Sequence, residues 1–147
     1  MPRKELRFPH QIEAWLLGWG KQLTERGSLV LIGSGGLLWH AAQRGLETSL
    51  PENSMDVDPV TTSQAVALLG YEAMIGREFE KEHGWHVNLM PAVGLREMKD
   101  GWEKRAFRKT YGLLDVTVPA VEDLLVPKLK RGEPRDILHA SWAKQLS

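Results

Sequence analysis

The sequence predicts an α/β (α+β) fold in which a small mixed β-sheet is flanked by helices. Three observations carry that expectation: apolar or alternating runs of strand length, amphipathic runs of helix length, and their interleaving in irregular order. At 147 residues the chain reads as one domain, 1–147. A chain of that size buries roughly 68–70% of its unfolded surface, enough for a core. With 42% hydrophobic and 26% charged residues it is neither disordered, collagen-like nor a coiled coil. Lys+Arg and Asp+Glu each number 19, so bulk charge does not drive nucleic-acid binding. There is no cysteine, which excludes disulfides, thiolate metal sites and thiol catalysis. The Met1-Pro2-Arg3-Lys4 start leads into no apolar leader, and Leu29 to Trp39 is too short to span a bilayer. The expectation is a cytoplasmic protein without a membrane partner.

Ile12, Trp15, Leu16, Trp19 and Leu23 share one helical face, which predicts an N-terminal helix over about 11–26 with Gly27 as its stop. The two tryptophans on that face read most simply as core, with a partner-binding stripe as the alternative. Residues 28–33 (SLVLIG) form an apolar run of strand length. Gly33-Ser34-Gly35-Gly36 then reads as a tight turn into a helix over 37–44, and 46–53 as a loop. Met55 to Asp58 alternates as a strand, with Pro59 at its end. Thr62 is placed to cap a helix to about Leu69, and a second helix spans 71–82. Residues 85–90 (WHVNLM) alternate as a strand stopped by Pro91. The charged run 96–109 is ambiguous between helix, loop and strand. Leu113 to Val118 is a β-branched strand, and helices follow over 121–130 and 135–146.

Two features carry chemistry. The first is the strand–turn–helix LVLI-GSGG-LLWHAA. Glycines let the backbone approach a ligand, and amides opening a helix favour an anion. Ser34 adds a hydroxyl that can donate to a phosphate oxygen. Glycines needed only for packing a tight turn are the alternative. The second is Asp56-Val57-Asp58: in a strand, residues i and i+2 point to one side, so the two carboxylates project together. Their repulsion is relieved by a cation, and hard oxygen ligands suit Mg²⁺ or Mn²⁺; a solvated charge pair is the alternative. In combination, a turn that holds phosphates and carboxylates that hold a metal are what metal-assisted nucleotidyl transfer needs.

The order of these motifs resembles the nucleotidyltransferase superfamily related to DNA polymerase beta. Its pattern is a strand, Gly-Gly or Gly-Ser opening a helix, a polar loop, and Asp-x-Asp. Gly33-Ser34 and Ser54-Met55-Asp56-Val57-Asp58 fit that pattern, and the likeness is to bacterial toxin-like and uncharacterised members. The segment from Glu122-Asp123 through Lys128-Leu129 to Arg135-Asp136 resembles that family's C-terminal motif, so the likeness covers roughly 28–138. The resemblance implies the nucleotidyltransferase fold and transfer of a nucleoside monophosphate from an NTP to a hydroxyl of RNA, protein or a small molecule. It implies Asp56 and Asp58 as catalytic residues and metal ligands, with Mg²⁺ or Mn²⁺ as cofactor. Gly33, Ser34 and Lys128 would bind the nucleotide. Asn88 stands where a third catalytic carboxylate is usual, and Asp115 is the substitute candidate. An amide ligates weakly and cannot act as a base. The competing expectation is therefore a degenerate, partner-binding module of a toxin–antitoxin pair.

Other patterns are weaker. His83-x-x-His86 has metal-ligand spacing, but a surface and core pair is the simpler reading. The dinucleotide fingerprint fails because its third glycine position is Leu38. No Gly-x-Ser-x-Gly elbow surrounds Ser34. The basic runs Arg105, Arg108, Lys109 and Lys128, Lys130, Arg131 read as solvated faces rather than an RNA-binding patch.

Overall fold

A computed structural model describes residues 6–52, 54 and 56–146. Helix α1 (Pro9–Gln22) leads into β1 (Gly27–Ile32) and α2 (Gly33–Gln43). A loop then reaches β2 (Asp56–Val60), α3 (Gln64–Glu72), α4 (Glu78–His83) and β3 (His86–Val87). A 3-10 turn (Ala92–Glu97) and α5 (Trp102–Arg105) precede the hairpin β4 (Phe107–Tyr111) and β5 (Leu114–Val118). Helices α6 (Val121–Arg131) and α7 (Pro134–Trp142) and a last 3-10 turn (Ala143–Leu146) close the described residues. The five strands form one mixed sheet in the order β3-β2-β1-β5-β4, as the α/β reading expects. Strand β1 lies at its centre, antiparallel to β2 and parallel to β5.

Burial alternates along the central strands. Leu29 and Leu31 of β1 and Leu114, Val116 and Val118 of β5 enter the core, while Ser28 and Asp115 are open to solvent. Trp15 and Trp19 are 5% and 3% exposed and meet each other, and Trp15 meets Trp85, edge to face, so that helical face is core and not a docking stripe. Trp39 completes this layer by donating its indole N–H to the Tyr111 hydroxyl at 2.9 Å.

Several boundaries differ from expectation for local reasons. Helix α1 is shorter than 11–26: Pro9 suits a first helical position, and Gly27 is already the first residue of β1. Strand β2 runs through Pro59, which pairs opposite Leu31. Ser63 rather than Thr62 precedes α3, and Thr61 accepts the Ser63 N–H. The helical stretch breaks at 73–77, where Gly76 takes φ 85°, and not at Gly70. Strand β3 keeps only His86–Val87, because Asn88 and Met90 bond singly to Val57 and Pro59 carbonyls. The ambiguous run 96–109 resolves into the end of the 3-10 turn, α5 and half of β4.

Helix α1 meets the β4–β5 hairpin through backbone contact. A Cβ on Gly20 would lie 1.9 Å from the Tyr111 carbonyl oxygen, and one on Gly112 would lie 2.8 Å from the Gly20 oxygen. We expect Gly20→Ala to cost about 3 kcal/mol, since a backbone carbonyl cannot swing aside as a side chain can. Urea unfolding would measure it, and a loss below half a kilocalorie would mean the helix simply rides outward.

Candidate active site

Strand β1 delivers the chain directly into α2, with no intervening turn. The expected turn Gly33-Ser34-Gly35-Gly36 is the first turn of the helix itself, and the bend is made by Gly33 alone at φ 70°. No side chain caps α2, so its first amides lack intrahelical partners and face the space beyond β1. The glycines divide their work. Gly35 and Gly36 are buried, and a Cβ there would meet Val57 Cγ1 at 3.3 Å and Leu124 Cδ1 at 2.9 Å. They let α2 lie close on β2 and α6, as the packing alternative held. Gly33 borders the site, where a Cβ would come within 2.8 Å of Asp58 Oδ2.

Asp56 and Asp58 both lie on β2 at i and i+2, and Asp58 pairs opposite Ile32, the residue before the α2 turn. Register thus places the carboxylate pair beside the helix opening. Asn88 approaches from beyond β3 and donates Nδ2 to Asp58 Oδ1 at 3.2 Å. Asp115 does not take that place. It pairs with Ser28 in the sheet register, about 13 Å down β1 from Ile32, and is held by Arg26 at 2.9 Å and Thr110 at 3.0 Å. Ser54 reaches Asp56 by donating its hydroxyl to the Asp56 carbonyl oxygen at 2.9 Å. Among the described residues no three of His, Cys, Asp and Glu cluster for a metal. The donor set is therefore two carboxylates and an amide, which suits an ion that keeps waters and shares substrate oxygens, as Mg²⁺ does. His83 and His86 do not pair: His83 donates to the Phe79 carbonyl and His86 binds Glu80.

Across the cleft stands Lys128 of α6. Unlike the solvated lysine that the basic run suggests, it is 5% exposed. Its ammonium donates to Ser34 Oγ at 3.0 Å and lies 3.2 Å from His139 Nδ1 and 3.8 Å from Asp136 Oδ1. Asp136, also buried, receives a two-pronged bond from Arg131 at 2.8 and 2.6 Å. Lys128 and Ser34, with Gly33, Asp56, Asp58 and Asn88, border a cleft of about 370 Å³ that Arg131 and Arg135 also line, while Asp136 and His139 touch Lys128 without lining it.

The electrostatics follow from burial. Desolvation, and then the neighbouring Asp56 charge, push the Asp58 carboxyl up to about 6. Desolvation brings the Lys128 ammonium down to about 8, against the pull of Asp136. The bonds from Arg131 hold Asp136 down at about 2. One side of the cleft thus concentrates negative charge beside the opening of α2, and the other presents a buried cation and two arginines.

Gly33, Ser34, Asp56, Asp58, Asn88 and Lys128, the site residues that the resemblance implied, all border this one cleft, whereas Asp115, His83 and His86 do not. In the sequence Arg131 read as a solvated charge, Arg135 and Asp136 carried only their place in the C-terminal motif, and His139 had no role. Arg131 was legible, since it follows Lys128 at i+3 on a helix. His139 lies 105 residues from Ser34 and carried no signal.

No curated protein and no solved structure matches the chain. A family model described as "Nucleotidyltransferase of unknown function (DUF6036)" matches residues 16–142, a span that holds the α2 opening, the Asp56/Asp58 strand and the Lys128 helix. The chain is therefore a member of this nucleotidyltransferase family.

Proposed function

We propose that the protein transfers a nucleoside monophosphate from an NTP to a hydroxyl of an RNA, protein or small-molecule acceptor. One observation carries the reading: the carboxylate pair of β2 and the Lys128–Ser34 bond border one cleft at the opening of α2. In the reaction the acceptor oxygen bonds to the α-phosphorus, the bond from that phosphorus to the bridging oxygen breaks, pyrophosphate leaves, and the hydroxyl's proton is released to solvent. Asp56 and Asp58 would hold a divalent ion, whose chemistry is to make a hydroxyl more acidic and to offset phosphate charge. The remaining work belongs to the chain. Ser34, the first amides of α2, and Lys128 bind the triphosphate and take up charge on the departing pyrophosphate. Arg131 and Arg135 line the same wall. Asn88 fixes the plane of Asp58 through its amide and takes no proton. Substrate NTPs belong to the cytoplasm, and on this reading the reaction runs there.

The alternative is a catalytically idle member that binds a cognate toxin or antitoxin. Asn88 in place of a third carboxylate favours it. Thermal melts separate the two readings. Mg²⁺ or Mn²⁺ alone should raise Tm slightly, and Mg²⁺ with saturating NTP on the order of 5–10 °C, the effect of about 2.7 kcal/mol of binding at a hundredfold excess over Kd. Incubation with four labelled NTPs should then label an acceptor. Identical melts with and without millimolar metal and nucleotide would leave only the idle reading.

A further inference from the structure

We propose that His139 is a positioning residue of this site, fixing the directions in which Lys128 and Ser34 present their protons to the triphosphate. The proposal rests on the nucleotidyl-transfer reading. His139 sits on α7 at 1% exposure and has polar neighbours on both ring nitrogens. Its Nε2 lies 2.9 Å from the Pro51 carbonyl oxygen and 3.3 Å from that of Glu52. Carbonyl oxygens only accept, so Nε2 carries the hydrogen. On a neutral ring this leaves Nδ1 with one lone pair, facing Lys128 Nζ at 3.2 Å and Ser34 Oγ at 3.1 Å.

That single lone pair decides the rest. An ammonium has three hydrogens and no acceptor, and as a charged donor it makes the stronger bond. Lys128 therefore gives one hydrogen to His139 Nδ1 and one to Ser34 Oγ. Ser34 has then accepted a bond and finds Nδ1 filled, so its own hydroxyl hydrogen turns into the cleft as a free donor to an anion. With the opposite tautomer, an N–H would point at the ammonium and Lys128 would lose its acceptor on His139. Burial, and then the Lys128 charge, hold the imidazole in its neutral form.

The same side chain reaches the loop that leads to β2. Glu52 has φ 50°, the one positive φ of a non-glycine among the described residues, and such a bend persists only where neighbours hold it. His139 Nε2 bonds to the carbonyls of that bend, four residues before Asp56. One imidazole thus ties together the loop into β2, the opening of α2 and the Lys128 helix.

Two substitutions split these roles. The side-chain oxygen of asparagine can stand where Nδ1 stands, and the terminal amide of glutamine where Nε2 stands. His139→Asn keeps the acceptor for Lys128 and loses the loop bond; His139→Gln keeps the loop bond and loses the acceptor. We expect the Mg²⁺–ATP Kd, measured by calorimetry, to rise about tenfold in His139→Gln, the scale of lost supporting hydrogen bonds, and to stay within about threefold in His139→Asn. Nitrogen-15 spectra of the metal-free wild type, assigned by difference from His139→Asn, should show Nε2 protonated and Nδ1 bare at pH 7.

Equal effects of the two substitutions, or a protonated Nδ1, would overturn the positioning role while leaving nucleotidyl transfer standing. A wild type that binds no Mg²⁺–ATP would overturn the transfer reading, and with it any role of His139 toward a triphosphate. If one variant fails to fold, difference from the other still assigns His139 in the wild-type spectrum, which decides which nitrogen carries the proton.

Discussion

Asp56→Asn should lower nucleotide transfer about a thousandfold and, at the same time, make the metal-free protein more stable at neutral pH. The loss follows from removing one of two carboxylate ligands: the charge stabilisation a bound metal supplies is worth several kcal/mol, and each 1.4 kcal/mol is tenfold in rate. The gain follows from Asp58, whose carboxyl is raised to about 6 by burial and then by Asp56. A carboxyl whose pKa is higher folded than unfolded binds its proton more tightly in the native state, so stability falls as pH rises through the interval between the two values. For Asp58 that interval runs from about 4 to about 6, and by pH 7 up to about 3 kcal/mol has been lost. Asp56→Asn removes only the part due to like charge, so about 1 kcal/mol should return. Urea midpoints in chelator at pH 4 and pH 7 would show it: wild type weaker at pH 7, the variant less so. Transfer that survives Asp56→Asn would remove Asp56 from the metal site.

Lys128→Met should cut transfer about a hundredfold while the fold holds. The ammonium is buried, and burial brings its pKa down to about 8 from 10.5. Here the native state releases its proton more readily than the unfolded chain, so stability rises as pH climbs from about 8 to 10.5. Below pH 8 the buried charge costs up to about 3 kcal/mol, and methionine removes that cost at nearly constant shape. His139 Nδ1 can then accept from Ser34, and Asp136 keeps its bonds from Arg131, so no buried acceptor is stranded. We expect a net gain of about 1–2 kcal/mol at pH 7, with loss of a charge-assisted bond to the triphosphate as the counterpart. Wild-type transfer should decline above pH 8 as the ammonium loses its proton, and this limb should be absent from the residual activity of Lys128→Met. A wild-type profile that stays flat from pH 7 to pH 9.5 would show that Lys128 carries no charge that the reaction uses.

The elements that local chemistry governs are legible in the sequence. Apolar periodicity marked α1, β1 and β5, and period-two alternation put Asp56 and Asp58 on one side of one strand. Both signals are carried within a few residues, so no folded context is needed to read them. The rest depended on contacts between elements far apart in the chain. Whether Gly33 to Gly36 made a turn or a helix depended on Val57 and Leu124 arriving to pack against Gly35 and Gly36. Whether Asp115 or Asn88 stood beside the pair depended on register: β5 runs parallel to β1 and leaves Asp115 opposite Ser28, at the far end of the strand. Whether Lys128 was a solvated charge or a buried one depended on α7 closing over it with Asp136 and His139. A charged residue has the same signature in sequence on either side of a helix. Its pKa, its partners and its use in chemistry come from what desolvates it, and the groups that desolvate Lys128 lie on elements that only the folded chain brings together.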